Sequence, residues 1–229
     1  MFTTEEKLCA YVTHELGNHL ALIKSTVQLM EKRNPKLHEV DYWDQLRVDI
    51  ETLGELFVDF SHYRQSGQLK VRETDLFDLA DEIVESFQVM AGEKKVSVVL
   101  EEEDEIDPDV LFYTCDGVKL RMVLSNLIKN ALEVTKEGEK VWVRVLGKKQ
   151  TNADWIRIEV ANNGPLIPQE ELESIFEFGI STKGEGRGIG LALSQKIVES
   201  HKGKLEVSSE EVNGERKTVF SICLPLLYI

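Results

Sequence analysis

The sequence predicts an α+β chain in two parts: an N-terminal two-helix hairpin that dimerises into a four-helix bundle, then an α/β sandwich built on a mixed sheet. Three observations predict this. Two apolar series spaced by threes and fours fill the first third of the chain. Beyond Gly67, strand-like alternation interleaves with amphipathic stretches, but without a regular βαβ rhythm. A glycine-rich segment between Gly179 and Gly190 opens a further helix. The expected division is 1–66 and 67–229.

The first helix carries Cys9, Val12, Leu16, Leu20, Ile23, Val27 and Met30 on one stripe. Asn34-Pro35 ends it, since proline disfavours helical geometry in the residue before it. The second helix carries Trp43, Leu46, Ile50, Leu53, Phe57 and Phe60. One hairpin has too little interior to bury both seams, whereas two hairpins form a bundle. Burial alone therefore predicts a homodimer.

After Gly67, residues 69–73 suit a short strand and Asp75 suits the N-cap of a helix running to about residue 90. Residues 95–100 read as a strand, and the acidic run 101–105 as a solvated loop. A helix is expected over 116–135. Val141, Val143 and Val145 alternate with polar neighbours, as do Ile156, Ile158 and Val160, giving two strands about a turn at Thr151-Asn152. The helix after the glycine-rich segment ends near His201, with Gly203 as its stop signal, and strands over 205–208 and 218–224 close the chain.

Composition excludes several classes of function. The 229 residues hold 27 basic and 41 acidic side chains, a formal charge of −14, which argues against nucleic acid as a partner. No apolar run approaches the roughly 20 residues of a spanning helix and no signal-peptide pattern opens the chain, so no sensor or membrane segment is expected in these residues. Cys9, Cys115 and Cys223 lack metal-ligand spacing and read as small buried hydrophobes. A reducing, cytoplasmic setting is expected, for a soluble protein or the cytoplasmic part of a membrane-bound one.

Four short motifs carry chemistry. In Ser181-Thr182-Lys183-Gly184-Glu185-Gly186-Arg187-Gly188-Ile189-Gly190-Leu191, glycines permit close approach to phosphate, and the following helix start offers free N–H groups. Lys183 and Arg187 add positive charge. Upstream, Asn126-Leu127-Ile128-Lys129-Asn130 puts two amides on one helical face, where they can ligate Mg²⁺ or bond phosphate oxygens. Asn162-Asn163-Gly164-Pro165 ends a strand at a tight turn where an adenine edge can be read. Phe176-Glu177-Phe178 precedes the glycine-rich segment.

In this order the motifs resemble those of the two-component sensor histidine kinases. The stretch around Asn126 and Asn130 resembles their N box, Asn162 to Pro165 the first glycine box, Phe176 to Phe178 the F box, and Gly186 to Gly190 the second glycine box. His14-Glu15-Leu16-Gly17-Asn18 resembles the H box. The resemblance implies a Bergerat ATP-binding fold, ATP and Mg²⁺ as cofactors, and Asn130 as the metal ligand. The ATP-binding set it implies is Asn126, Lys129, Asn130, Asn162, Gly164, Phe176, Thr182, Lys183, Gly186, Arg187, Gly188, Ile189, Gly190 and Leu191. It further implies autophosphorylation of His14 and transfer to an aspartate on a response regulator receiver domain.

His14 lies off the main seam, so its ring can reach solvent. One imidazole nitrogen attacks the γ-phosphate if an acceptor holds the proton on the other. The resemblance gives that role to Glu15, and to Asn18 the orienting of water that dephosphorylates the partner. His19 stands where the family commonly has proline and is the second candidate acceptor, while His38, His62 and His201 are expected at surface or loop positions. Two departures stand out: Asn162 occupies the place of an aspartate that accepts from the adenine amino group, and Leu166 that of a glycine. Asn126 replaces the glutamate base of gyrase-type ATPases and cannot itself be a base, which favours transfer over hydrolysis; Glu133 is a substitute candidate. The competing readings are a phosphorelay or scaffold protein with a degenerate nucleotide site, and a serine kinase of the anti-sigma type.

Overall fold

The computed structural model describes residues 4–101, 112–148, 155–180 and 188–226. The chain divides into two compact units, Met1–Gln65 and Ser66–Ile229.

The first unit is a helical hairpin. Helix α1 spans Thr4–Arg33. At its end the Asn34 side chain accepts from the Lys36 backbone N–H, and Pro35 starts a 3-10 turn over Pro35–Glu39. Helix α2 spans Trp43–Gln65. Trp43 closes the loop end: it is 8% exposed and its Nε1–H donates to Glu31 Oε1 at 3.1 Å. Near the other end, Arg64 donates from Nη1 to Thr13 Oγ1. Between them the Phe57 ring lies against Gly17 so closely that a Cβ there would fall 2.7 Å from it. The rest of the seam stays open, with Leu16 53%, Ile23 46% and Leu53 51% exposed.

The second unit is a two-layer sandwich. Its elements are β1 Arg72–Asp75, α3 Leu76–Ser86, α4 Gln88–Lys94, β2 Ser97–Glu101, β3 Phe112–Cys115, α5 Gly117–Val134, β4 Lys140–Lys148, β5 Trp155–Asn162, α6 Gly190–Ser200, β6 Lys204–Val212 and β7 Glu215–Pro225. Five strands form one sheet in the order β2-β4-β5-β7-β6, parallel between β2 and β4 and antiparallel elsewhere. Strands β1 and β3 form a separate antiparallel pair. Period-2 alternation sends Val141, Val143, Val145, Ile156, Ile158 and Val160 into the core, against the buried faces of α3, α5 and α6. The opposite sheet face is charged, with Arg144 donating to Glu159 at 2.9 Å and the Arg157 guanidinium over the Trp155 ring. Cys223 lies half-buried on this outer face, its Sγ 3.8 Å from Glu206, and so is not the core hydrophobe its sequence suggests.

Asp75 caps α3 as expected, accepting from the Phe77 and Asp78 N–H groups at 2.9 and 3.0 Å. The helix expected to reach residue 90 is instead two: α3 stops at Ser86, and α4 stops at Lys94, with Lys95 beyond it at φ +54. Strand β1 begins three residues later than the sequence suggests, where it finds its partner β3, a strand the sequence pattern did not announce.

His201 is a correction to the expected surface position. It is 6% exposed and caps α6. Its Nδ1–H donates to the Ile197 carbonyl at 2.8 Å, and its Nε2 accepts from the Asp116 backbone N–H at 3.0 Å, which fixes the neutral tautomer. Burial holds its pKa below the ordinary histidine value, against the opposing pull of the Ile197 bond and the Asp116 charge. Asp116 caps α5 through Lys119 N and accepts from Lys70 N at 2.8 Å. Lys119 Nζ in turn donates to the carbonyls of Ser66 and Gln68. The segment 66–70 is thus fastened to the start of α5, with His201 behind the fastening.

Candidate active site

Two places gather the residues singled out by sequence. On α1, His14 presents a side chain 74% exposed, beside Glu15 at 43%. Two groups address the same ring nitrogen: Glu15 Oε1 lies 3.6 Å from Nδ1, and Asn18 Nδ2 lies 3.2 Å from it. Helical spacing explains the Asn18 contact, since residues four apart share a face. An amide nitrogen only donates, so with Asn18 engaged Nδ1 accepts and the ring proton sits on Nε2. With Glu15 engaged the proton moves to Nδ1 and the Nε2 lone pair is free. His19 is exposed on the same helix.

The second lies along α5, which packs against both α6 and β5. Asn126 and Asn130 are half-buried on α5, and Lys129 is exposed between them. Asn126 is already engaged: its Nδ2 donates to Ser194 Oγ at 3.0 Å, and a Cβ at Gly190 would fall 2.4 Å from its Oδ1. This amide therefore ties α5 to α6 at Ser194, and only glycine fits opposite it at position 190. Ile189 is buried and precedes α6 without a side-chain cap, and Leu191 lies in the first turn. The first turn of a helix leaves its leading N–H groups outside the helix's own ladder, and here that turn starts at Gly190.

Gly188 has φ +65, and the Gly179 N–H donates to its carbonyl at 2.9 Å, clasping the two ends of the glycine-rich segment. A Cβ at Gly188 would meet the Ile180 carbonyl oxygen at 2.4 Å. Thr182, Lys183, Gly186 and Arg187 lie outside the described residues.

Asn162 ends β5 on its core face and is 3% exposed. Its Nδ2 has no hydrogen-bond partner among the described residues. Gly164 follows, and the Pro165-Leu166 turn is tied to β6 by Ile167 N–H donating to Ser209 Oγ at 2.8 Å. Leu166 is not at positive φ, so the turn makes no demand for glycine there. Phe176 closes the 3-10 turn Ser174–Phe176 and meets Phe220 of β7 edge to face, centroids 6.4 Å apart. Glu133 is exposed on α5. Sequence reasoning missed Ser194; its signal is a small polar residue, 1% exposed, within an otherwise apolar helix face.

Residues 115–228 match the family described as histidine kinase-, DNA gyrase B- and HSP90-like ATPase. The chain is 26% identical over 220 residues to Sporulation kinase E of Bacillus subtilis (strain 168), covering 96% of this chain and 28% of that protein. It is 27% identical over 237 residues to the Adaptive-response sensory kinase SasA of Crocosphaera subtropica, covering 97% and 59%. The matched family and the names of these relatives together support a sensor histidine kinase. Full-length ShkA, crystallised with AMPPNP, shares the fold over 97% of this chain and 47% of that one, with a TM-score of 0.74 at 21% identity. The catalytic domain of the histidine kinase ThkA covers 67% of this chain and 95% of that one, with a TM-score of 0.55 at 29% identity. The chain spans less than two thirds of the length of these curated relatives. Among the described residues no helix is long and apolar enough to cross a membrane.

Proposed function

We propose that this chain is the ATP-dependent kinase part of a cytoplasmic phosphotransfer system. Residues 1–66 act as the dimerisation and phosphotransfer domain, and residues 67–229 bind ATP. The observation that carries the reading is the His14 ring, exposed and flanked by a carboxylate and an amide that compete for one nitrogen.

Glu15 accepts the Nδ1 proton, which leaves the Nε2 lone pair to attack the γ-phosphorus. The N–P bond forms as the bond to the ADP oxygen breaks. The phosphoryl group then passes to an aspartate of a response regulator receiver domain. Asn18 holds the resting tautomer before transfer and orients water when the phosphorylated regulator is hydrolysed. Asn162 addresses the base, Asn126 and Gly190 hold the start of α6 where its N–H groups meet phosphate, and Phe176 braces that region against the sheet.

Among the described residues no group of three or more His, Cys, Asp or Glu side chains could hold a metal ion. Asn130, half-buried on α5, would offer an amide oxygen, a hard donor of the kind Mg²⁺ takes beside triphosphate oxygens. When bound, Mg²⁺ neutralises triphosphate charge. The homodimer is supported by the open seam at Leu16, Ile23 and Leu53, which a second hairpin would cover.

The test is incubation with γ-labelled radioactive ATP, followed by acid and alkali treatment. Acid-labile, alkali-stable label that disappears in His14→Gln is expected. Acid-stable label would point to a serine kinase, and no label to the scaffold reading.

A further inference from the structure

We infer that the base pocket at Asn162 accepts 6-oxopurine nucleotides alongside adenine nucleotides, a specificity set by this buried amide. The inference rests on the ATP-binding reading above and concerns only which purine edge the pocket reads.

The apolar row Ile156, Ile158 and Val160 on β5 continues into Asn162, on the same face of the sheet and level with Val141 and Thr218. A polar side chain at the end of such a row normally finds a partner, since an unpaired buried donor is costly. Here Asn162 is 3% exposed and its Nδ2 has none among the described residues. Gly164 lies close against it: a Cβ there would fall 2.9 Å from Nδ2 and 3.4 Å from the Val134 carbonyl oxygen, so any side chain at 164 would crowd the amide. A buried donor without a partner, which only glycine at 164 leaves uncrowded, is suited to an acceptor carried by a ligand.

An amide offers both a donor and an acceptor, and half a turn about its last torsion exchanges them. In one orientation the carbonyl accepts from an adenine amino group and the nitrogen donates to N1. In the other, the nitrogen donates to the 6-oxo oxygen of hypoxanthine or guanine while the carbonyl accepts from N1–H. A carboxylate only accepts, so it would pair with the amino group and repel the oxo oxygen.

Calorimetry on the full chain with ADP, IDP and GDP in Mg²⁺ buffer tests this without phosphoryl transfer, and IDP isolates the 6-position from the 2-amino group. Wild type is expected to bind IDP within about tenfold of ADP, the scale of one neutral hydrogen bond. Asn162→Asp should keep ADP and widen the ratio beyond about tenfold. If that variant does not fold by circular dichroism, the wild-type ratio decides alone. ADP binding with IDP weaker than this in wild type, or a ratio unmoved by Asn162→Asp, would overturn the inference and leave the ATP reading standing. Failure of all three nucleotides to bind the folded protein would overturn both.

Discussion

The hairpin and the sandwich bury apolar surface in different ways. The sandwich closes its own core, with Leu120, Leu124 and Leu127 of α5 and Ile156 and Ile158 of β5 at 0% exposure. In the hairpin, Trp43 is the only described residue below a tenth exposed, while seam residues such as Leu16 and Leu53 stay about half exposed. The same heptad chemistry that would make a core in four helices makes only a contact strip in two. The sandwich buries its core within one chain; the hairpin leaves much of its seam open.

The largest expected effect breaks the hairpin. Phe57 packs on Gly17 between the helices. Phe57→Asp puts an unpaired charge there and should cost about 3 kcal/mol or more. Unfolding followed by helical circular dichroism should show the hairpin lost while the sandwich keeps its transition. Loss of both transitions together would show that the two regions are not independent in stability.

A second variant strikes the sandwich at the start of α6, where we propose that phosphate binds. Gly190→Ala forces a Cβ against Asn126 Oδ1 and away from the bond to Ser194. Overpacking of this kind costs about 1–3 kcal/mol. ADP affinity should fall while the dimer persists, and an unchanged affinity would remove the Asn126–Gly190 contact from the site.

His201→Ala deprives the Asp116 N–H of its acceptor, at an expected cost of about 1–3 kcal/mol to the sandwich alone. The smallest effect is its pH dependence. Burial keeps His201 neutral in the folded state, with its pKa below the free value of 6.5. The unfolded chain therefore binds the proton first, and stability should be level above about pH 7 and fall as pH drops below about 6.5 toward the folded pKa. Asp116, also held below its ordinary value, adds a loss only in the carboxylate range. Urea midpoints at about pH 7.5 and 5.5 should differ in wild type and converge in His201→Gln.

Legibility in the sequence also divides between the two regions. Local signals were sufficient for the heptad seams, the cap at Asp75 and the alternation in β4 and β5, because period and capping act within a few residues. Strand β3 was not visible, since four residues gain strand character only from pairing with β1. The break between α3 and α4 falls at Phe87, where no proline or glycine marks it. In the site, the motif residues could be read by resemblance, yet Asn126's engagement with Ser194 and His201's with Asp116 join residues 68 and 85 positions apart. Such bonds are decided by how α5 and α6 pack, which no local pattern encodes.

Whether the hairpin is half of a shared bundle is decided by sedimentation equilibrium of the full chain at micromolar concentration. The account predicts a species of twice the 26.1 kDa chain mass, reverting to a single chain in Phe57→Asp. A wild-type chain that sediments at 26.1 kDa would contradict it.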